Sequence, residues 1–224
     1  METSKPSEWK ERFSRQVILA GVGEAGQKKW AQTTVGLVGE GIALEAALLA
    51  LITSGLSSIR LLTSTGIDLN SWKNRYPESE LSLFRSTADL PGASPLLILT
   101  GDPGLRRELN RSLRVKPRPA FFGWCAGSGW ALFFSRFKSA EGPCFECFET
   151  LNPKAFNEGS SEAQRLLGAM AAAELSQWIL TEDSPLENKV WITSLNEGIS
   201  FHHPVFPSSK CPADLIARGA KVTP

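Results

Sequence analysis

The chain has 224 residues, of which 42% are hydrophobic, and its formal net charge at pH 7 is +1. A charge this close to neutral gives no electrostatic basis for binding nucleic acid or an anionic membrane surface. The apolar runs are shorter than the roughly 18 residues that a transmembrane helix needs, and residues 1–16 are polar, unlike the start of a signal peptide. We therefore expect a cytoplasmic protein with no nucleic-acid and no membrane partner.

Hydrophobic periodicity predicts helices and strands that alternate along the chain. Residues 8–31 predict a helix with a break near Gly21 to Gly23, and residues 34–39 predict a buried strand. An Ala- and Leu-rich helix follows at 42–54 and ends at Gly55. The later predicted elements are strands at 58–63 and 95–101, a helix at 105–114, two strands within 120–137, a helix at 160–180, and a hairpin at 189–206 that turns at Asn196 to Gly198.

This order of elements predicts an α/β fold. Residues 34–63 form a β-turn-α-β unit of about 30 residues, the usual size of a parallel crossover. We expect a Rossmann-like, doubly wound, mostly parallel sheet with a mixed or antiparallel C-terminal part. The prediction is a single domain over residues 1–224, with an N-terminal helical segment (1–33), a Rossmann-like core (34–138) and a C-terminal part that carries a cysteine knuckle (139–224).

The stretch "GLVGEGIALEA" at residues 36–46 begins like a phosphate-binding turn. Gly39 and Gly41 match the first two glycines of G-x-G-x-x-G, which brings backbone N–H groups at a helix N-terminus close to a phosphate. Leu44 stands where the third glycine would allow close packing of helix on strand. The alternative interpretation of the two glycines is a tight strand-to-helix turn with no ligand.

Several motifs together resemble the ThiF/MoeB/HesA family, relatives of the ubiquitin-activating enzymes. The opening "RFSRQVILAGVGEAGQKKW" at 12–30 is similar to the family pattern R-[YF]-x-R-Q followed by G-x-x-G-Q-x-[KR]-L. The similarity continues through residues 34–62 and through "LLILTGDPGLRRELNRSL" at 96–113, which resembles the family's strand, T-D-N turn and helix. It ends with "GPCFECF" at 142–148 and "KCPAD" at 210–214, where the family has its two zinc-binding pairs.

The resemblance implies ATP- and Mg²⁺-dependent adenylation of the C-terminus of a ubiquitin-like protein, a sulfur-carrier protein or a peptide. It implies two catalytic residues, Arg15 as the arginine that reaches the partner subunit's site, and Asp102 as the carboxylate of the T-D-N turn. It also implies nucleotide contacts by Gly39, Gly41, Thr63 and Arg75, with Asn74 beside Arg75. Arg15 has the alternative of a solvated helix residue, and Asp102 that of a helix N-cap followed by Pro103.

Other positions depart from the family pattern in ways that weaken a nucleotide site. Thr63 replaces the acid that binds the ribose, and a threonine only weakly substitutes for a carboxylate with two acceptor oxygens. Glu40 and Glu45 add negative charge beside the place where phosphates would lie. The segment 76–95 is shorter than its family counterpart, and the phosphate-binding lysine has no evident match there.

The four cysteines predict a metal site rather than a disulfide framework, because two of them form C-x-x-C. Cys144 and Cys147 form half of a structural zinc site, and Cys211 and Asp214 stand where the second pair is expected. His202 or His203 is an alternative fourth ligand, and reduced cysteines without metal are the alternative to zinc. Cys125 is interpreted as a buried strand residue.

Three hypotheses for function follow. The first is a non-catalytic scaffold, or a partner subunit of an active homologue, with a degraded nucleotide site. The second is a divergent ATP-dependent adenylyltransferase that acts on a carrier protein or peptide, and the third is a simple NAD-binding domain. We prefer the first, and expect a homodimer or heterodimer because the helices at 42–54 and 164–175 carry small-residue faces.

Overall fold

The structure is a computed structural model that describes residues 11–64, 66–89, 94–137, 142–151, 159–209 and 211–217. Within these ranges, the side chains at positions 88, 150, 151, 214, 216 and 217 lie outside the description. The strands are β1 Thr34–Gly39, β2 Ser58–Leu62, β3 Glu80–Leu83, β4 Leu96–Leu99, β5 Ala120–Ala126, β6 Gly129–Ser135, β7 Lys189–Ser194 and β8 Ile199–Pro204. The helices are α1 Ser14–Val17, α2 Gly23–Gln32, α3 Gly41–Ser54, α4 Leu69–Arg75, α5 Pro103–Val115, α6 Phe145–Leu151, α7 Ser161–Thr181 and α8 Pro212–Ala217.

The eight strands form one sheet in the order β3-β2-β1-β4-β5-β6-β7-β8. The first five strands in this order run parallel to their neighbours, and β6, β7 and β8 join antiparallel. The parallel part has the strand order of a Rossmann-type sheet, in which the connections reverse direction between β1 and β4. The predicted α/β class, with a parallel core and an antiparallel C-terminal part, is confirmed.

Both faces of the sheet are covered, which explains the continuous apolar runs in the central strands. Leu37 of β1 belongs to the core on the face that α3 and α7 cover, and Val38 belongs to the core on the face that α5 and α6 cover. Both side chains are fully buried. Successive residues of one strand therefore stabilise two separate helical layers.

The small-residue faces of α3 and α7 pack against each other within the chain. A Cβ at Gly168 of α7 would overlap the carbonyl oxygen of Ala43 and would lie 2.9 Å from the Cβ of Ala46 and 3.0 Å from the amide nitrogen of Ala47. Only glycine allows the two helix backbones to approach this closely. The small-residue faces, which favoured a dimer in the sequence analysis, thus form the contact between two neighbouring helices of one chain.

The observed elements follow the prediction except in the N-terminal segment, in the segment between β2 and β4, and at the short helices α6 and α8, which were not predicted. The predicted N-terminal helix consists of α1 and α2, separated by a turn at whose ends Gly21 and Gly23 have φ values of +87° and +61°. Helix α4 and the edge strand β3 lie in a segment for which no element was predicted. The hairpin of β7 and β8 is confirmed, with Ser194 paired to Ile199 across the turn. Among the described residues, no helix combines the length and the apolar character needed to cross a bilayer.

Candidate functional site

A cleft of about 430 Å³ opens at the carboxyl ends of β1, β4 and β5. It lies where the chain leaves β1 toward α3 on one face of the sheet and leaves β4 toward α5 on the other face. In open α/β sheets such a switch point is the usual place for a ligand. Its volume is within the range of small-molecule sites. Its lining includes Glu40, Gly41, Thr100, Arg106, Trp124 and Cys125.

The two glycines of the turn are required by the backbone. A Cβ at Gly39 would lie 2.9 Å from the carbonyl carbon of Leu99, so that any side chain there would push β1 away from β4. Gly41 has a φ of +64°, in the left-handed region that favours glycine. Both glycines therefore serve a tight strand-to-helix turn, and their predicted contact with a nucleotide stays a prediction.

Leu44 lies in the core beneath the turn. It is 1% exposed and packs within the cluster formed by α3, α7 and the sheet. In a G-x-G-x-x-G turn the third glycine brings helix and strand together. Here the close backbone contact of α3 is made instead with α7, at Gly168.

Glu40 is the residue between the two glycines, and its carboxylate spans the switch point. Its Oε1 accepts a hydrogen bond from the backbone N–H of Gly101 at 2.6 Å. The hydroxyl of Thr100 lies 3.1 Å from both carboxylate oxygens. Glu40 is also the N-cap residue of α3, but its side chain makes no capping hydrogen bond to that helix. The carboxylate therefore accepts a hydrogen bond from a backbone N–H group just after β4 and places a negative charge at the N-terminus of α3.

Arg106 is a cleft residue that the sequence analysis missed. It lies in the second turn of α5, is 1% exposed, and its NH2 group lies 3.5 Å from the carbonyl oxygen of Gly101. Burial lowers the pKa of its guanidinium, although the nearby carboxylate of Glu149 opposes this effect. The sequence could have indicated that Arg106 is buried, because residues 106, 109, 110 and 113 recur at helical spacing and form the buried face of α5. A cation within that face requires a specific environment.

Asp102 caps α5. Its Oδ1 accepts hydrogen bonds from the backbone N–H groups of Gly104 at 2.7 Å and Leu105 at 3.3 Å, and Pro103 occupies the first turn. The N-cap interpretation is confirmed. The side chain is exposed and lies beside the cleft, so that its predicted role toward Mg²⁺ and phosphates stays a prediction.

The structure does not bring the other predicted nucleotide residues into the cleft wall formed by the described residues. Thr63 follows β2 at the same edge of the sheet. Arg75 ends α4, and its guanidinium carbon lies 5.5 Å from the centre of the Tyr76 ring. Arg15 is exposed on α1, where the neighbouring Gln16 donates a hydrogen bond to the carbonyl of Thr53 in the last turn of α3. Arg15 therefore lies near the end of α3 that points away from the cleft.

Cys125 lies in β5, as predicted, and reaches the cleft half-buried. Burial raises the pKa of its thiol to about 11, which keeps the thiol protonated and weakly nucleophilic at neutral pH. Gly159 packs directly against it, and a Cβ at position 159 would overlap the Cys125 side chain.

A second cluster, the cysteine site, lies on the opposite face of the sheet from α3 and α7. The thiols of Cys144, Cys147 and Cys211 are fully buried, and their sulfur atoms all lie within 4.8 Å of one another. The Cys144 Sγ is 3.8 Å from the Cys147 Sγ and 3.5 Å from the Cys211 Sγ. Hydrogen bonds with Cys144 and Cys211 lower the pKa of the Cys147 thiol, which favours the thiolate that a metal requires.

This arrangement fits zinc. A tetrahedral zinc with Zn–S bonds of about 2.3 Å separates its sulfur ligands by about 3.8 Å, close to the observed spacing. Within the described part of the chain, the ligand atoms that gather to this spacing are the three sulfurs, while His202 and His203 are exposed on β8. Asp214 lies in α8, one turn after Cys211, and its side chain lies outside the description. The fourth ligand from Asp214 stays a prediction.

Charged and polar residues of α5 contact the cysteine loop, which is the segment 144–147 and includes the first turn of α6. Asn110, fully buried, donates to the Sγ of Cys144 at 3.3 Å and to the carboxylate of Glu146 at 2.8 Å. Arg111 forms an ion pair with Glu146 at 2.9 Å, and Arg107 pairs with Glu149 at 2.7 Å. The loop is therefore attached to the same helix that carries Arg106 into the cleft.

Comparison with known proteins defines the class of fold. No protein-family model and no curated protein matches the sequence. Solved structures match over almost the whole chain, and the chain shares the fold of MccB and PaaA, in agreement with the resemblance of its motifs to the ThiF/MoeB/HesA family.

The matching structures include E. coli MccB, described as a microcin C7 biosynthetic enzyme, in complexes with MccA and with ATP. The complex with MccA has a TM-score of 0.74 and 16% sequence identity, covering 91% of this chain and 74% of MccB. PaaA has a TM-score of 0.70 and 15% identity, covering 92% of this chain and 77% of PaaA. At these identities the similarity establishes a shared fold.

Proposed function

We propose that this chain is a ThiF/MoeB-like protein that binds a peptide or a carrier protein without adenylating it. It would act as a scaffold or as the non-catalytic partner of an active homologue in the cytoplasm. The observation that carries this proposal is the position of the Glu40 carboxylate, which accepts a hydrogen bond from the N–H of Gly101 at 2.6 Å at the switch point, where open α/β sheets usually bind a ligand.

Electrostatics supports this reading of Glu40. Two unit negative charges about 4 Å apart repel by roughly 4 kcal/mol near a protein surface. The carboxylate also occupies one of the backbone N–H groups that a phosphate would use at the switch point. Thr63, in place of a ribose-binding acid, weakens the same site further.

The partner class comes from the fold. E. coli MccB, which shares this fold, has been solved with the peptide MccA. We propose a peptide, a ubiquitin-like protein or a sulfur-carrier protein as the partner here. In a heterodimer, Arg15 would reach the active homologue's site. The cysteine site would hold a structural zinc through Cys144, Cys147 and Cys211, with Asp214 as the fourth ligand.

Calorimetry and ATP–pyrophosphate exchange on the purified protein test the loss of adenylation. We expect no saturable heat on titration with MgATP, and no exchange when candidate peptides are added. Micromolar affinity for MgATP, or exchange above the rate without protein, would remove the proposal.

The role of Arg15 needs a separate experiment on the heterodimer. An active homologue that co-purifies with this chain should adenylate its substrate more slowly when Arg15→Ala replaces the native subunit, with assembly unchanged. Lys28→Ala, which removes an exposed cation on α2, is the matched control. Equal rates for the native and Arg15→Ala complexes would exclude Arg15 from the partner's site.

A divergent adenylyltransferase is the second candidate. Two observations favour it: Arg106 places a cation in the cleft, and Asp102 lies beside the cleft after β4. If this candidate is right, the exchange assay should show activity that both Asp102→Ala and Arg106→Gln abolish.

A further inference from the structure

The first turn of α6, which follows Cys144 and contains Cys147, reaches through the core to the cleft. Phe145, the residue after the first cysteine, is fully buried. Its ring stacks on Phe122 at 4.9 Å between ring centres and meets the Trp124 ring edge-on at 5.6 Å. The guanidinium carbon of Arg106 lies 5.5 Å from the centre of the same ring.

Two of these neighbours are cleft residues. Arg106 and Trp124 line the cleft, and each is at most 5% exposed. The cation-π contact and the aromatic contacts position both side chains from behind. Trp124 has a second contact with the same helix, since its ring lies 5.1 Å from that of Phe148. The wall of the cleft therefore rests on α6 and on the cysteine loop.

Asn110 connects this support to the sulfur atoms. Its Nδ2 donates to the Sγ of Cys144 at 3.3 Å, and its Oδ1 accepts the backbone N–H of Phe145 at 3.0 Å. One amide group thus fixes both the first thiolate and the backbone of the residue that contacts the cleft. Asn110 also lies one helical turn after Arg106 on α5.

We propose that the cysteine site controls the shape of the cleft, with Asn110 and Phe145 as the positioning residues. Asn110 orients the Cys144 thiolate for Zn²⁺, and the bound ion fixes the loop. Phe145 then holds Arg106 and Trp124 in the cleft wall. The coupling holds whether or not the cleft accepts a nucleotide, because it depends only on contacts among these residues.

The first experiment measures the affinity of the purified chain for Zn²⁺ by competition with a chelator. Partners that orient metal ligands typically change affinity by about 10- to 100-fold, and we expect a loss of this size for Asn110→Ala. Glu108→Gln, an exposed change on α5, is the matched control and should bind Zn²⁺ like the native chain. If Asn110→Ala does not fold, Asn110→Ser is used. Native affinity in a folded Asn110 variant overturns the assignment of Asn110.

The second experiment uses Cys125 as a reporter inside the cleft. Bound zinc protects the other three cysteines, and alkylation of Cys125 by iodoacetamide is followed by peptide mass spectrometry. Phe145→Leu keeps an apolar side chain but removes the ring beneath Arg106 and Trp124. We expect this variant, loaded with zinc, to be alkylated at Cys125 at least about fivefold faster than the native chain, because the cleft wall opens locally.

Metal removal gives the same readout without a mutation. Stripping zinc from the native chain should accelerate alkylation of Cys125, and reloading Zn²⁺ should restore the slow rate. Native alkylation rates in zinc-loaded Phe145→Leu, or rates in the native chain that do not respond to zinc, would show that the cleft is independent of the cysteine site.

Discussion

At the scale of single residues, Glu40 determines the charge of the turn between β1 and α3. Glu40 lies between two glycines that the backbone requires, and its carboxylate uses the N–H of Gly101. The turn is therefore preserved as architecture, and under the proposed function the Glu40 carboxylate in it opposes a phosphate. This separates two properties that the glycine pattern alone does not distinguish, the shape of a nucleotide-binding turn and its charge.

Neutralising Glu40 should recover part of the affinity for nucleotide. In Glu40→Gln the amide keeps an acceptor for Gly101 but removes the negative charge, and we expect an association constant for MgATP at least about tenfold above the upper limit for the native chain, roughly 1.4 kcal/mol. Calorimetry measures the difference. Glu197→Gln is the control, because Glu197 is an exposed acid in the turn between β7 and β8. An equal gain in both variants would point to net charge rather than to the position of Glu40.

Asp102 allows a test of capping at the same scale. Removing the acceptor for the N–H groups of Gly104 and Leu105 in Asp102→Ala should lower the free energy of unfolding by about 1 kcal/mol. Asp102→Asn keeps a capping oxygen and should lie within a few tenths of a kcal/mol of the native chain. Urea unfolding decides, and a loss in Asp102→Asn as large as that in Asp102→Ala would contradict the capping role.

At the scale of elements, helices α3 and α7 pack with their backbones in close contact. The backbone of α7 approaches α3 at Gly168, where a side chain would meet Ala43, Ala46 and Ala47. This explains why Leu44 is tolerated in the position of the third glycine. The helix packs its small residues against another helix and places its leucines toward the core.

A methyl group at this contact should destabilise the protein. We expect Gly168→Ala to lower the free energy of unfolding by about 1 to 3 kcal/mol, because the helices must separate or distort. Gly66→Ala, where an added Cβ meets nothing within 4 Å, should change it by less than about 0.5 kcal/mol. Urea unfolding of both variants checks this, and native stability of Gly168→Ala would mean that α3 and α7 shift without cost.

At the scale of the whole molecule, the cysteine site joins the C-terminal segment to α5. Cys211 precedes α8, while Cys144 and Cys147 belong to the loop and helix that pack on α5. Metal at this site would bind only the folded chain and would stabilise it by linkage.

We expect about one zinc per chain in protein purified without chelator. A strong chelator should lower the melting temperature by about 8 to 16 °C, the shift that corresponds to roughly 4 kcal/mol of binding linkage in a chain of this size. Calorimetry with and without added Zn²⁺ measures it, alongside metal analysis. A zinc content near zero would leave the three cysteines as a reduced, metal-free cluster.

The sequence was sufficient for the parts of the fold that depend on local patterns. The β1-turn-α3-β2 unit and the β7–β8 hairpin follow from periodicity and turn residues, whereas the grouping of Cys211 with Cys144 and Cys147 was implied by the family resemblance. It did not predict β3, whose few residues pair at a sheet edge with little burial, or the short helices α4, α6 and α8. It also missed Arg106, because a buried cation is recognised by its environment, and that environment includes Phe145, from a distant part of the chain.

The contact between α3 and α7 has a consequence for synthesis on the ribosome. Helix α3 is almost entirely apolar, yet the helix that covers it ends about 130 residues later, which takes roughly 6 to 25 s at 5 to 20 residues per second. After β5 is made and before α7 is complete, the growing chain holds the parallel strands and α3 without the helix that packs beside α3. Chains that stop before α7 should therefore aggregate or remain bound to chaperones, and production of the intact protein should improve when translation and chaperone supply are matched.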